Sequence, residues 1–379
     1  MKWLFWASAA WIAYTYLGYV VWLRVKSWLW PHPVKRAPFE PTVSIVMVVC
    51  DEQDVVERKL RNLLALEYPP GRLQIVVVSD GSTDQTDAII ETFRDKSQIT
   101  ICRKLLGQGK ASGLNDAIAA ATGEVVVFVD ARQRIESAAL RLLMENFADA
   151  TVGCVSGELM LGETPPFDAD GNESTQGMGL YWRMEKKIRE WESASGSVIG
   201  ATGALYAARR DLLGTIPRGM ILDDVFIPMQ VIRQGRRVVW DGRARAWDCA
   251  DLGAGREFSR KVRTLSGNYQ LVRSEPWLLG AVNPAWFSFV SHKLMRLAVP
   301  LALLGLLVSS AFLRGEPYRF ALWSQVAVYG LSLLAWMGLS KAGPVGRAAD
   351  AARTFVVLNA AAMVALTAFV TGRRIAWTR

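Results

Sequence analysis

Histidine and cysteine are almost missing from this chain: two His and four Cys in 379 residues. His32 and His292 both lie beside apolar stretches, which argues against a soluble site built around a histidine base. Cys50, Cys102, Cys154 and Cys249 are far apart and form no CxxC or Cys/His metal spacing. That argues against a zinc site and a disulfide framework, and leaves buried thiols in a reducing compartment as the expectation. Acidic residues are the minority charge, 35 Asp and Glu against 44 Lys and Arg, for a net charge of +9. No nucleic-acid motif accompanies the excess. The expected partners of these basic residues are therefore anionic membrane lipids, not nucleic acid. Polar composition is also short: 51% of residues are hydrophobic and the mean hydropathy is +0.17. That is apolar for a soluble protein and too polar for a pure transporter, so one soluble domain with a few membrane spans is expected.

Trp3 to Leu23 carry no charge and are long enough to cross ~30 Å of hydrocarbon as a helix. The run continues past Ala7-Ser8-Ala9 into basic residues, unlike a cleaved signal peptide. Arg24, Lys26, Lys35 and Arg36 follow it, against Lys2 alone before it, which predicts that the next segment is cytoplasmic. The expected organisation is a span over 1–25, a stiff linker over 26–42 containing Pro31, Pro33, Pro38 and Pro41, and a soluble domain over 43–273. An interfacial segment over 274–294, broken by Asn283-Pro284, then leads to a membrane region over 295–379. That region has three long apolar stretches, Leu297–Leu313, Phe320–Ser340 and Thr354–Gly372. One span before the domain and three after would put both termini outside, whereas Arg373, Arg374 and Arg379 favour a cytoplasmic C-terminus. Either 276–292 crosses or one later segment is re-entrant; the sequence leaves both open.

Within the domain, Val43–Val49, Leu73–Val78 and Glu124–Val129 are near-continuous β-branched runs, as in strands buried on both faces. Helical stretches near Asp54–Leu66, Asp84–Phe93 and Ala111–Ala121 alternate with them. The alternation predicts an α/β domain with a mainly parallel sheet and ligands at the carboxyl ends of the strands. Glu52, Asp80 and Asp130 each follow a strand, so three carboxylates share one edge. Like charges gathered there call for donors, a cation or a metal, and a nucleotide diphosphate with Mg²⁺ or Mn²⁺ would supply all three. The bland alternative is that such residues cap the helices that follow.

Ser44-Ile45-Val46, Asp51-Glu52, Leu63 to Tyr68-Pro69, Val78-Ser79-Asp80-Gly81-Ser82-Thr83-Asp84, Gly109-Lys110, Leu114-Asn115, Gly123-Glu124 and Asp130 come in this order. Together they resemble the family 2 glycosyltransferases, inverting enzymes of GT-A fold. The resemblance runs from about Val43 to Gln270, and the flanking apolar segments resemble the polysaccharide-synthase branch. It implies that Glu52 and Asp80 hold base and ribose, that Lys110 lies near the diphosphate, and that Asp130 is the first acid of a DxD motif handling metal and diphosphate. Arg132 stands where the second acid would be, and could contact phosphate directly. Gly107-Gln108-Gly109-Lys110 is not a P-loop, since the first glycine of that motif would fall on Lys104 and Ala111 replaces its Ser/Thr.

Leu222-Asp223-Asp224 resembles the family's acidic pair, which makes Asp224 the general base and Asp223 its neighbour. Gly200-Ala201-Thr202-Gly203 would allow close approach to the acceptor, with Thr202 and Gly203 on that side. Arg260-Lys261-Val262-Arg263-Thr264 falls where processive synthases carry a QxxRW-like motif. Arg263 matches its arginine, stabilising the departing diphosphate; Arg260 replaces the glutamine and Thr264 the tryptophan. The reading is an inverting transferase that uses a nucleotide sugar, a UDP-sugar by expectation, with a divalent metal. It would act at the inner face of a bacterial-type plasma membrane on a lipid-linked or growing glycan. The alternatives are a polyprenyl-phosphate sugar synthase and a silent membrane scaffold keeping the fold.

Overall fold

A computed structural model describes residues 1–161, 180–248, 254–338 and 343–373. The chain divides into two compact units, one of Lys26–Met178 with Lys187–Asp251 and one of Met1–Val25, Gly179–Lys186 and Leu252–Arg379.

The first of these is an α/β unit. Its strands are β1 (Val43–Val49), β2 (Leu73–Asp80), β3 (Ile99–Lys104), β4 (Val125–Val129), β5 (Arg134–Ile135), β6 (Val152–Leu161), β7 (Leu205–Arg209) and β8 (Arg237–Asp248). They form one sheet in the order β3-β2-β1-β4-β7-β6-β8-β5. β1 to β4 are parallel, in register Val43 to Leu73 and Val43 to Val125. The β-branched runs of β1, β2 and β4 are buried on both faces. Past β4 the sheet becomes mixed: β4–β7, β6–β7 and β5–β8 are antiparallel and β6–β8 is parallel. Among the described residues four of the seven pairings are thus parallel, and the antiparallel return through β7 is what brings the second half of the domain beside β4.

The core packs Ile45, Met47 and Val49 of β1 and Ile75 and Val77 of β2 against Val56, Leu60 and Leu63 of the Val56–Leu64 helix. On that helix apolar residues at spacings of three and four make the buried face, while Glu57 and Arg61 pair on the outside at 2.7 Å. The proline-rich stretch before β1 is strapped to this unit. His32 N–H donates to the Ala194 carbonyl (2.7 Å), the Arg237 guanidinium to the His32 carbonyl (2.7 Å), and Arg36 Nε to Asn146 Oδ1 (2.9 Å). Tyr68 Oη donates to the Pro41 carbonyl at 2.6 Å.

The other unit is helical. Lys2–Leu29, Trp286–Phe312 and Pro344–Val370 are each long and apolar enough to cross a membrane. The second begins inside the stretch expected to lie along the interface. Phe320–Ser340 falls mostly on the Glu316–Trp336 helix, 21 residues long but not among the membrane-length apolar three. Apolar side chains such as Trp3 (89% exposed) line the outer helix faces, as lipid contact requires. Several polar groups are paired between its helices. Trp11 Nε1 donates to the Met295 carbonyl at 3.1 Å, Tyr14 and Ser291 share a 2.8 Å hydrogen bond, and Glu185 binds His292 and Arg296. Of the sequence readings above, Cys249, Arg374 and Arg379 lie outside the described residues.

Candidate active site

The turns after β1 and β2 are laced together. Thr83 donates its N–H (2.7 Å) and hydroxyl (3.1 Å) to Asp51 Oδ1, Glu52 N–H donates to Thr86 Oγ1 (2.8 Å), and Gln53 N–H to Asp84 Oδ2 (3.2 Å). Asp51 holds a φ of 53°, a left-handed conformation that Asp tolerates better than most side chains. Ser82, Thr83 and Asp84 therefore work as loop fasteners, and the half-buried Glu52 is left at the strand edge. Burial pushes the Glu52 carboxyl above its ordinary value; Arg132 opposes this, and Asp130, Asp84 and Asp51 reinforce it.

Asp80, which ends β2, is buried. Its carboxylate accepts N–H groups from Gln108 (3.0 Å) and Gly109 (2.7 Å) and pins the loop after β3. Gly81 sits beneath that loop at φ +71°, and a Cβ there would collide with Gly107 N. The Gly-Gln-Gly-Lys segment is thus held by a carboxylate through its own backbone, a second reason it is no phosphate-cradling loop.

Lys110 opens the Lys110–Ala120 helix and reaches across to the ends of two other elements. Its Nζ lies 2.9 Å from Asp130 Oδ1 and 3.4 Å from Asp223 Oδ1. Burial alone would lower the ammonium's pKa, but Asp130 and Asp223 outweigh it and hold the pKa above its ordinary value. Asp223 also accepts from Tyr206 Oη (3.3 Å), and the Tyr206 ring stacks on Phe128 of β4 at 4.5 Å. The antiparallel β4–β7 pairing makes that stack, because Phe128 and Tyr206 are register partners. Arg132 donates to Asp248 Oδ2 (2.8 Å), which also accepts from Gln133 Nε2 (3.1 Å). The cation in the second DxD position is therefore oriented by an acid from the end of β8.

Asp223 and Asp224 occupy the first turn of the Asp223–Arg233 helix, at the positive end of its dipole. The cap position is Leu222, with no side-chain cap hydrogen bond, so neither acid occupies the cap of this helix. A Cβ on Gly203 would lie 3.3 Å from Asp224 Oδ2, so glycine is what leaves this carboxylate room. The Asp224 carbonyl accepts from Ala201 N–H at 2.7 Å. Thr202 is buried, its N–H bound to Ser156 Oγ at 3.0 Å and its hydroxyl accepting from Arg189.

The fold thus brings Lys110, Asp130 and Asp223 into contact, sets Asp224 against Gly203, and leaves Asp80 fastening a loop. Arg260 and Arg263 lie on the Ala254–Ser274 helix of the helical unit, Arg260 exposed. Tyr206, Asp248 and Gln133 escaped sequence reasoning. Asp248 carried the one available signal, an acid closing a long strand run. Among the described residues no group of three or more His, Cys, Asp or Glu could hold a metal. The donor set still fits a cation that arrives with a diphosphate. The Asp130 carboxylate offers hard oxygen atoms, 40% exposed at a strand end, and Mg²⁺ is commonly held by one or two carboxylates plus substrate phosphates.

Residues 44–216 match the family described as Glycosyl transferase family 2. The chain is similar to a poly-beta-1,6-N-acetyl-D-glucosamine synthase of Staphylococcus epidermidis, 23% identical over 62% of this chain and 56% of the relative. A synthase of the same description from Staphylococcus aureus is 22% identical over 61% of this chain and 55% of the relative. The chain spans about half the length of these curated relatives. In structure it resembles a mannosyltransferase of Pyrobaculum calidifontis in complex with GDP-Man and Mn²⁺, with a TM-score of 0.73 and 21% identity, covering 98% of this chain and all of that one. The α/β unit has the GT-A fold.

Proposed function

We propose, from the premise that this chain is a glycosyltransferase carrying a family 2 domain, that it moves a sugar from a UDP-sugar to a lipid-linked or growing glycan, with inversion, at the cytoplasmic face of a bacterial plasma membrane. One observation supports this most: Lys110 joins Asp130, just past the end of β4, to Asp223, beside the acid proposed as base. Donor and acceptor chemistry would then meet at a single cation. The relatives' names, which describe synthases of an N-acetylglucosamine polymer, support an envelope-polysaccharide product.

In this reading Glu52 and Asp80 serve the nucleoside side, Asp80 through the Gln108–Gly109 backbone it holds. Lys110 and Arg132 place positive charge where the diphosphate leaves. Asp224 takes the proton from the acceptor hydroxyl as that oxygen attacks the anomeric carbon opposite the departing diphosphate. Gly203 and Thr202 shape the acceptor side. A divalent cation held by Asp130 would neutralise the diphosphate. For Arg263, leaving-group stabilisation rests on the sequence match alone.

Full-length protein in lipid, incubated with a panel of radiolabelled nucleotide sugars, tests the assignment. The expected result is released UDP and labelled product with one donor, lost on adding excess chelator. Turnover with a GDP-sugar only would overturn the donor, and full activity in chelator would remove the metal. Labelled product found only as monoglycosylated lipid phosphate would replace the glycan acceptor with a polyprenyl phosphate.

A further inference from the structure

Lys59 is a buried charge that no step above uses. It sits on the Val56–Leu64 helix, 2% exposed, among core side chains, and its Nζ donates to the Gln133 carbonyl at 2.7 Å. Its helix grips the same segment at two further points. Arg58 reaches the Arg132 carbonyl at 3.5 Å, and Asn62 exchanges two 2.8 Å hydrogen bonds with the Ile135 backbone. One helical turn thus splints the backbone that follows Asp130 and carries Arg132.

A neutral donor could satisfy one carbonyl, and burying an ammonium is costly. The charged groups that act on Lys59 are Asp130, from the end of β4, and Arg58, on its own helix. Asp130 is the acid proposed to face the diphosphate. We propose that Lys59 is a positioning residue for the transfer: its ammonium fixes the Asp130–Gln133 segment from behind and supplies positive charge to the diphosphate end of the site. The inference rests on the reading of Asp130 above.

Burial pushes the Lys59 ammonium down to about 7, against the pull of Asp130. As pH rises through that value the amine keeps its hydrogen bond to Gln133 but loses its charge, so pH itself separates the two roles. Unfolded lysine titrates near ~10.4. Between about pH 7 and that value the unfolded chain binds the extra proton, so this residue's contribution to stability improves as pH rises there.

The test uses the full chain in lipid and compares wild type with Lys59→Met and Asp130→Asn from pH 6 to 9.5. Wild-type turnover should fall on an alkaline limb with a midpoint near 7, and Lys59→Met should run roughly tenfold slower with that limb absent. Affinity for UDP with Mn²⁺, measured calorimetrically, should drop several-fold in Lys59→Met at pH 6 and approach wild type at pH 9. The melting-temperature gap between the two proteins should shift in favour of wild type as pH rises. Wild-type turnover without a limb, or a Lys59→Met profile that overlays it, overturns the proposal. Should Lys59→Met fail to fold, Lys59→Gln takes its place, and the wild-type profile decides on its own. Full activity in Asp130→Asn would instead fault the site reading, whereas an inactive Asp130→Asn beside a fully active Lys59→Met faults Lys59 alone.

Discussion

The two halves of the sheet solve different problems. In the parallel half, from β3 to β4, Glu52, Asp80 and Asp130 sit at or just past the ends of β1, β2 and β4, and hydrogen bonds between neighbouring turns, such as Thr83 to Asp51, hold them. In the mixed half the groups meet where the chain reverses direction. Tyr206 reaches Asp223, and Asp248 reaches Arg132 across 116 residues. Where connections are regular, position along the chain is enough to place a side chain. Where the chain doubles back, only the antiparallel pairing places it. The parallel half would then bind the donor, and the mixed half would supply the proton acceptor.

That division can be broken by substitution. The largest effect is expected in the mixed half: Asp224→Asn should cut turnover ~10²–10⁴-fold while UDP affinity and melting temperature hold. A folded, fully active Asp224→Asn would move the base elsewhere. In the parallel half, Gly81→Ala must shift the backbone against Gly107, and the strain should cost ~1–3 kcal/mol of stability together with nucleotide affinity. Thermal melts with and without UDP would read both; an unchanged pair would show that the Asp80-held loop plays no part in binding. Glu52→Gln should weaken UDP binding about tenfold, ~1.4 kcal/mol, with turnover at saturation preserved and no loss of melting temperature. The charged form of Glu52 is already disfavoured by burial, so neutralising it relieves a cost. A reversed pattern, affinity kept and turnover lost, would erase the contrast between the halves. The smallest effect is the control. Arg61→Ala removes an exposed pair with Glu57 one helical turn away, on the face opposite Lys59's neighbours, and should change stability by no more than ~0.5 kcal/mol.

The same contrast sets what the sequence could disclose. β1, β2 and β4 and the acids after them were legible because β-branched runs and turn residues are local signals. That Asp80 would spend its carboxylate on the Gln108 and Gly109 amides was not legible, since those partners lie 28 and 29 residues on, in a loop without regular pattern. Nor was the Arg132–Asp248 pair, which depends on β5 lying antiparallel to β8 in the register Arg134 to Trp247. Sequence spacing explains the sheet's mixed character no better: the right-handed crossover rule orders the parallel strands and is silent on where a chain reverses. Lys59 was hidden for another reason. In a helix of otherwise good amphipathic pattern, a lysine reads as a solvated residue, and only the depth of its packing shows otherwise.

The strap before β1 has a consequence in time. His32 waits for Arg237, 205 residues further along, and Arg36 for Asn146, 110 further along. At ~5–20 residues per second, synthesis takes roughly 5–20 s to deliver Asn146 and roughly 10–40 s to deliver Arg237. Until Asn146 appears the proline-rich stretch has neither of these fastenings, although the Lys2–Leu29 helix ahead of it and β1 to β4 behind it are already made. The segment met early in the chain is therefore among the last to be fully secured, and a ribosome stalled before Arg237 would carry a nascent domain whose strands β1 to β4 are all present and whose strap has Asn146 and Ala194 to bind but not yet the Arg237 guanidinium.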